Sequence, residues 1–99
     1  MDIEDVLSSK TRIKILKLLD QKGQRHISDI ARRIKINYTA ADKHLRLLES
    51  EGILIEYTYG VRFRMYRLNE TSEKAEIIQN LIHLWEQNKQ PNRSERNNK

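Results

Sequence analysis

Side chains that can contact a nucleic acid recur at helical spacing in the middle of the chain. Lys43 and Arg46 are cations on long side chains, and arginine can form two parallel hydrogen bonds to the major-groove edge of guanine. Tyr38 and Thr39 carry hydroxyl groups at the predicted start of the same helix, where hydroxyls and free backbone amides commonly meet phosphate. Asp42 either accepts a hydrogen bond from a cytosine amino group or, as we favour, pairs with Arg46 one helical turn later and orients it.

The residues around this face predict two short helices joined by a tight turn. Ser28 and Asn37 can each cap a helix, because their side chains accept a hydrogen bond from a free amide of the first turn. These caps lie nine residues apart, which leaves little more than a turn around Lys35 between the helices. The second helix must therefore cross the first steeply, as in helix-turn-helix pairs that contact DNA. Gly52 ends the second helix. Ala41, Leu45 and Leu48 fall at positions i, i+4 and i+7 of this helix and should face the core.

The remaining sequence predicts one long helix before this pair and a β-hairpin after it. The long helix covers residues 10–22 and ends at Gly23, and a short strand follows over residues 25–27. Residues 53–58 and 62–68 are rich in β-branched and aromatic side chains, so they predict a hairpin, or wing. The predicted fold class is mainly α with a small β-hairpin wing (α+β), a winged helix-turn-helix with an additional C-terminal helix.

Most of the excess positive charge falls on the predicted helix pair and wing. Residues 24–67 carry nine basic and five acidic side chains, which accounts for four units of the net charge of +5. This distribution fits a surface that faces phosphate, and a solvated basic face is the alternative for charge alone. Arg62 and Arg64 on the wing can clamp phosphate or enter a minor groove, or they can simply keep an edge strand soluble. The residues predicted to contact DNA are Arg32, Arg33, Lys35, Asn37, Tyr38, Thr39, Asp42, Lys43, Arg46, Arg62 and Arg64.

The last predicted helix is more apolar than a single small domain requires. It starts at Thr71 or Ser72 and carries apolar residues at nearly seven-residue spacing. We therefore infer a homodimer in which this helix packs against its mate across a two-fold axis, and the alternative is a helix folded back onto its own domain. The predicted dimer interface comprises Ile3, Val6, Leu7, Ile78, Leu81, Leu84 and Trp85.

The sequence predicts one domain followed by a short tail. Residues 1–90 are expected to form a winged-helix DNA-binding domain whose C-terminal helix begins at about residue 71. Residues 91–99 begin with Pro91 and contain no apolar side chain after it, so this tail is expected to be disordered.

Four fragments, taken in order, resemble the ArsR-type winged-helix repressors. They are residues 9–16 (SKTRIKIL), 44–45 (HL), 51–54 (EGIL) and 66–68 (YRL), and the resemblance covers about residues 7–85. It implies a sequence-specific DNA-binding transcriptional regulator, a homodimer that binds inverted repeats in promoters and either blocks or recruits polymerase. Of these two actions we favour repression. It also implies that the face from Tyr38 to Arg46 enters the major groove, while Arg62 and Arg64 lie beside the flanking backbone.

The chain departs from the metal-sensing members of that family. Those members carry a cysteine pair in the recognition helix or acidic and histidine ligands on the last helix, and this chain has no cysteine. His26, His44 and His83 lie on separate predicted elements without a two-ligand spacing, and His44 is interpreted as a packed residue. We therefore expect a regulator that does not sense metals, with no cofactor and no small-molecule ligand that the sequence reveals.

Other classes of function find little support in the sequence. It contains no glycine-rich phosphate loop, nucleophile elbow or recognisable carboxylate pair, so we do not expect an enzyme. The acidic N-terminus is unlike a signal peptide, and no apolar run approaches the ~18 residues that span a bilayer, so we expect a cytoplasmic protein without a membrane partner. The alternatives are a protein-interaction module of a transcription or replication assembly and a nonspecific architectural DNA binder. The many charged and isoleucine residues favour a thermophilic source, archaeal or archaeal viral.

Overall fold

The computed structural model describes residues 1–60 and 63–89, and within them the chain forms five helices and three strands. This is the predicted winged helix-turn-helix with a C-terminal helix, preceded by a short helix that the sequence did not predict. The predicted tail, residues 91–99, lies outside the described residues. The elements are α1 (Ile3–Leu7), α2 (Lys10–Lys22), β1 (Arg25–His26), α3 (Ile27–Ile34), α4 (Tyr38–Ser50), β2 (Leu54–Tyr59), β3 (Phe63–Leu68) and α5 (Glu73–Gln87).

Side-chain caps determine where α2, α3, α4 and α5 begin. Ser9, Asn37 and Ser72 each accept a hydrogen bond from the amide three residues later, at 3.1, 2.7 and 3.3 Å. The prediction that Ser28 caps α3 is wrong, because β1 leads directly into that helix. His26 takes the cap position instead, and its Nδ1 accepts from the Ser28 amide at 3.0 Å. For the same reason Ile27, which was predicted to be strand, is the first helical residue and is fully buried.

A tight turn joins α3 to α4, as the sequence predicts. Lys35 ends α3 in the left-handed conformation, with φ 68° and ψ 48°. The amides of Lys35 and Ile36 both donate to the carbonyl of Ala31, at 2.9 and 3.0 Å, and so close the helix. The chain then reaches Asn37 and starts α4 without any further loop.

Gly52 terminates α4 in the predicted way. Its φ of +76° lies in the region that glycine adopts without steric cost. The amides of Gly52 and Ile53 donate to the carbonyls of Glu49 and Leu48, at 2.9 and 3.0 Å. These are the paired hydrogen bonds of a Schellman motif, which turns the chain from the helix into β2.

The wing is an antiparallel hairpin extended by a third, short strand. β2 pairs with β3 along its whole length, and β1 pairs with the other edge of β3, so the strand order is β1-β3-β2. β2 begins one residue later than predicted, at Leu54, and β3 is described from Phe63 onward. Because side chains alternate along a strand, Arg64, Tyr66 and Leu68 share the face of β3 that is turned to the helices.

The core lies between the helices and the inner face of the sheet. Ala41, Leu45 and Leu48 are fully buried, which confirms the face of α4 predicted to pack inward. Among the residues that the structure describes, Tyr66 of β3 is the largest fully buried side chain. Val6 joins the same cluster and is only 7% exposed, so α1 is anchored to the domain by one buried residue.

Candidate nucleic-acid interface

The outward side of α4 gathers the side chains that the sequence analysis expects to meet DNA. Tyr38, Thr39, Lys43 and Arg46 are exposed, and Asp42 is half-buried among them. These five residues are called the recognition face below. The opposite side of α4 forms part of the core, so the helix cannot rotate and this face is fixed outward.

Asp42 orients Arg46, as the spacing of the two residues predicts. Arg46 Nε donates to both carboxylate oxygens of Asp42, at 3.0 and 3.1 Å, while the arginine side chain stays 63% exposed. Burial raises the pKa of Asp42, but hydrogen bonds from Arg64 and Arg46 outweigh it and hold the pKa below its ordinary value. The carboxylate is therefore charged, and the guanidinium of Arg46 points outward in one direction.

Arg64, which was predicted to contact DNA from the wing, packs against α4. Its side chain is 17% exposed and turns toward α4, where Nη2 lies 2.6 Å from Asp42 Oδ1. Nη1 donates to the Tyr38 hydroxyl at 3.2 Å, Nη2 to the Tyr66 hydroxyl at 2.6 Å, and Nε to Glu56 at 2.8 Å. All three guanidinium nitrogens thus have partners inside the protein.

Sequence reasoning missed this network, although the strand pattern contained a signal for it. Arg64 has the same parity along β3 as Tyr66 and Leu68, which are both buried. A strand that turns Tyr66 and Leu68 inward also turns Arg64 inward. The expected contact between Arg64 and the DNA backbone stays a prediction.

The cations at the turn are exposed, and a single carboxylate holds two of them. Arg33 Nε donates to Asp29 at 2.9 Å, Arg32 donates to the other oxygen of Asp29, and Arg25 Nε lies 3.4 Å away. Lys35 is exposed beside them. Three cations around one carboxylate leave net positive charge next to the start of α4. Asp29 was not predicted to pair with these arginines, although its spacing to Arg32 and Arg33 is that of neighbours on a helix.

The tip of the wing is described only in part. Arg62, predicted to lie beside the DNA backbone, falls outside the described residues. Phe63 is 61% exposed and contacts His26 edge to face, with the ring centroids 5.5 Å apart. Arg67, on the outer face of β3, lies over the Tyr57 ring at 4.9 Å and donates to its hydroxyl at 2.7 Å.

His44 connects α4 to α2. Its Nδ1 lies 3.1 Å from Arg12 Nη1, and Arg12 also donates to the Asp5 carbonyl. Because arginine is only a donor, His44 Nδ1 must accept and carries no proton. Burial, then the charges of Arg12 and Lys43, lower the pKa of His44. His44 is half-buried, as its interpretation as a packed residue requires.

Comparison with known proteins decides the family. The family model described as "Bacterial regulatory protein, arsR family" matches residues 9–56. The cadmium resistance transcriptional regulatory protein CadC homolog of Staphylococcus aureus is 32% identical over 89 residues, which is 87% of this chain and 73% of that protein. The chain belongs to the ArsR family. It is therefore a winged-helix transcriptional regulator, and the family consists of regulators rather than enzymes.

Solved structures share the fold of this ArsR protein. The homodimeric winged helix-turn-helix DNA-binding domain of a possible ArsR-family regulator from Mycobacterium bovis is 27% identical, with a TM-score of 0.69 over 85% of this chain and 74% of that one. The antimony-specific transcriptional repressor AntR is 24% identical, with a TM-score of 0.70 over 87% and 76%, and shows the shared fold alone. The relatives from Staphylococcus aureus and Mycobacterium bovis are bacterial, and they lend no support to the expected archaeal source.

A second surface, formed by α1 and α5 and not by the recognition helix α4, is apolar. Six large apolar side chains there are between 40% and 69% exposed. Of the predicted interface residues, Val6 is buried within the core and Ile78 is half-buried against it, so each offers less area than expected. Ile77, which the predicted set omitted, is more exposed than Ile78. The side chains that form this surface, called the α1–α5 face below, are Ile3, Leu7, Ile77, Leu81, Leu84 and Trp85.

Polar contacts fasten α5 to its own domain on another side. Asp20 of α2 accepts from Gln79 at 3.1 Å and lies 2.9 Å from His83 Nε2, and Lys17 pairs with Glu86 at 3.3 Å. The helix therefore folds back on α2 and still leaves the α1–α5 face open. Within residues 1–60 and 63–89, no cluster of three or more histidine or carboxylate side chains could hold a metal ion. No helix in that part of the chain is long and apolar enough to cross a membrane.

Proposed function

We propose that this ArsR regulator binds double-stranded DNA with sequence preference through the recognition face. The observation that carries the proposal is the pairing of Arg46 with Asp42, which holds an exposed guanidinium in one direction on a rigid helix. An arginine that is already oriented loses less conformational entropy when it forms a bidentate bond to guanine. Lys43 beside it and Lys35 at the turn supply charge for phosphate contacts, which fix the register on the duplex.

We propose further that the regulator acts in the cytoplasm as a homodimer on an inverted repeat. The exposed α1–α5 face supports this, because contiguous exposed apolar side chains mark protein interfaces. The relative from Mycobacterium bovis, which shares the fold, is described as homodimeric. A two-fold dimer presents two copies of α4 to the same side of a duplex, so the half-sites should lie about one helical turn apart. Repression would follow from occupying promoter DNA that polymerase needs.

We propose that this regulator does not sense metals, unlike the relative named for cadmium resistance. The 99 residues contain no cysteine, so they cannot supply a thiolate ligand. Adding cadmium or zinc at concentrations that do not precipitate the protein should leave its affinity for a selected duplex unchanged. A metal-dependent release of the DNA, reversed by a chelator, would contradict this proposal.

In vitro selection on random duplex DNA at moderate salt tests the proposed function directly. We expect enrichment of an inverted repeat in the sequenced bound pool. Retention of DNA without enrichment would replace the proposal with a nonspecific architectural role, which also requires steep salt dependence. No retention would make a protein-interaction module the better account of the recognition face.

A further inference from the structure

The guanidinium of Arg64 connects the wing to the first two turns of α4. It contacts Tyr38 at the first residue of the helix and Asp42 one turn later, from a strand that pairs with β2. On the sheet side it is held by Glu56, which lies on β2, and by the Tyr66 hydroxyl on its own strand. One planar group therefore fixes the distance and the angle between the wing and the recognition helix.

The charge of Arg64 is neutralised within the protein. Two carboxylates, Asp42 and Glu56, lie 2.6 and 2.8 Å from its nitrogens, and the side chain is only 17% exposed. A phosphate would have to displace one of these carboxylates and desolvate a group that is already satisfied. Arg64 is therefore poorly placed to serve as a phosphate ligand.

Asp42 joins Arg64 to the exposed Arg46. Its Oδ1 lies 2.6 Å from Arg64 Nη2 and accepts from Arg46 Nε at 3.0 Å, so both arginines share one oxygen. Removing Arg64 would let the Asp42 side chain change its rotamer, and Arg46 would then lose its fixed direction.

We propose that Arg64 is a positioning residue for sequence recognition, which acts through Asp42 on Arg46 and through Tyr38 on the start of α4, without contacting DNA itself. The inference rests on the proposed DNA-binding function. It assigns to the wing a role in specificity that depends on the planar fork of arginine, since a lysine ammonium cannot hold four partners in one plane.

Binding measurements on a matched set of variants test the proposal. Wild type, Arg64→Gln, Arg64→Lys and Arg67→Gln are titrated onto the selected duplex and a scrambled duplex over a range of salt, after thermal unfolding has shown that each is folded. Arg64→Gln should lose on the order of tenfold in affinity for the selected duplex and far less for the scrambled one. Arg64→Lys should not restore the loss, and Arg67→Gln, a loss of the same charge on the other face of β3, should behave like wild type.

The salt dependence separates positioning from phosphate contact. For a positioning residue, the slope of log K against log salt stays that of wild type. A slope that becomes shallower by about 0.9 with equal losses on both duplexes identifies a phosphate contact and overturns the proposal. Full rescue by Arg64→Lys would overturn it as well.

Amide hydrogen exchange in the DNA-free protein tests independently whether Arg64 positions α4. Exchange in the first two turns of α4 should be faster in Arg64→Gln than in wild type or Arg67→Gln, and unchanged exchange there would contradict the positioning role. If wild type does not distinguish the two duplexes, the proposed function fails, while the exchange measurement still decides whether Arg64 positions α4.

Discussion

At the scale of single residues, Lys35 has a strained backbone conformation and also belongs to the proposed DNA interface. It is the one non-glycine residue with positive φ among the described residues, and left-handed backbone is unfavourable for a side chain with a Cβ. Lys35→Gly should raise the free energy of unfolding by about 1 kcal/mol, because glycine relieves more strain than it adds in unfolded-state entropy. The same change should weaken DNA binding and make the salt slope shallower by about 0.9 if Lys35 contacts a phosphate.

Urea denaturation and salt titration measure both effects of the Lys35 change. Lys35→Arg is the matched control, since it keeps the charge and the strain and should change neither quantity appreciably. A Lys35→Gly protein that is more stable but binds DNA with an unchanged salt slope would remove Lys35 from the interface.

His44 should make the stability of the protein depend on pH in a known direction. Its pKa in the folded state is lowered by burial and by Arg12 and Lys43, so the unfolded chain binds a proton more readily than the folded one. The stabilisation from neutral His44 is therefore complete above the unfolded pKa and is lost as the pH falls through the folded pKa. Denaturant midpoints should fall between about pH 7.5 and about pH 5.

A glutamine at position 44 isolates this contribution. The carbonyl oxygen of Gln can still accept from Arg12, but the side chain does not titrate. We expect His44→Gln to show a smaller loss of stability over the same pH range than wild type. An equal loss in both proteins would show that other groups account for the pH dependence.

At the scale of elements, the sequence predicts what local rules control. Caps at Asn37 and Gly52 and the alternation of the hairpin strands are set by neighbours along the chain, and the structure confirms them. The prediction that Ser28 caps α3 was wrong because β1 pairs with β3, a strand about 40 residues later. That pairing decides where the helix can begin. The alternation of β3 indicates that Arg64 turns inward, but its contact with Asp42 depends on how the wing packs against α4, which no local pattern encodes.

The two cap predictions can be tested against each other. Asn37→Ala removes the acceptor that holds the Ala40 amide at 2.7 Å and should lower the free energy of unfolding by about 1 kcal/mol. Ser28→Ala should change it by less than about 0.5 kcal/mol, because Ser28 is exposed and caps nothing. Urea denaturation of both variants gives the comparison, and a Ser28 variant as destabilised as the Asn37 variant would contradict the assigned cap.

At the scale of the whole molecule, the two surfaces of this ArsR regulator have different chemistry and lie on different elements. The recognition face and the turn are cationic, whereas the α1–α5 face is apolar and is bordered by the polar contacts that tie α5 to α2. The sequence predicted the apolar character of α5 from its spacing. The spacing does not show which side of that helix the domain itself covers. In the structure Ala75 and Ile82 are buried, whereas Leu81 and Trp85 are exposed.

Disrupting the α1–α5 face should separate dimerisation from DNA contact. Leu84 is 58% exposed on that face, so Leu84→Glu should leave the fold intact but place a charge where two copies of the helix meet. We expect sedimentation equilibrium to show a dimer for wild type and a monomer for this variant. Gln21→Glu, which adds the same charge at an exposed position of α2, should remain dimeric.

Loss of the dimer should lower the affinity for DNA, because the two half-sites are linked in one duplex. When one protomer is bound, its partner is held near the second half-site at high effective concentration, so the affinity for an inverted repeat exceeds that for a single half-site. Leu84→Glu should therefore lose at least about tenfold in affinity for the full repeat while binding an isolated half-site as wild type does. If the variant were monomeric yet bound the full repeat as tightly as wild type, dimerisation through α5 would play no part in recognition, and the apolar face would have to be assigned to another partner.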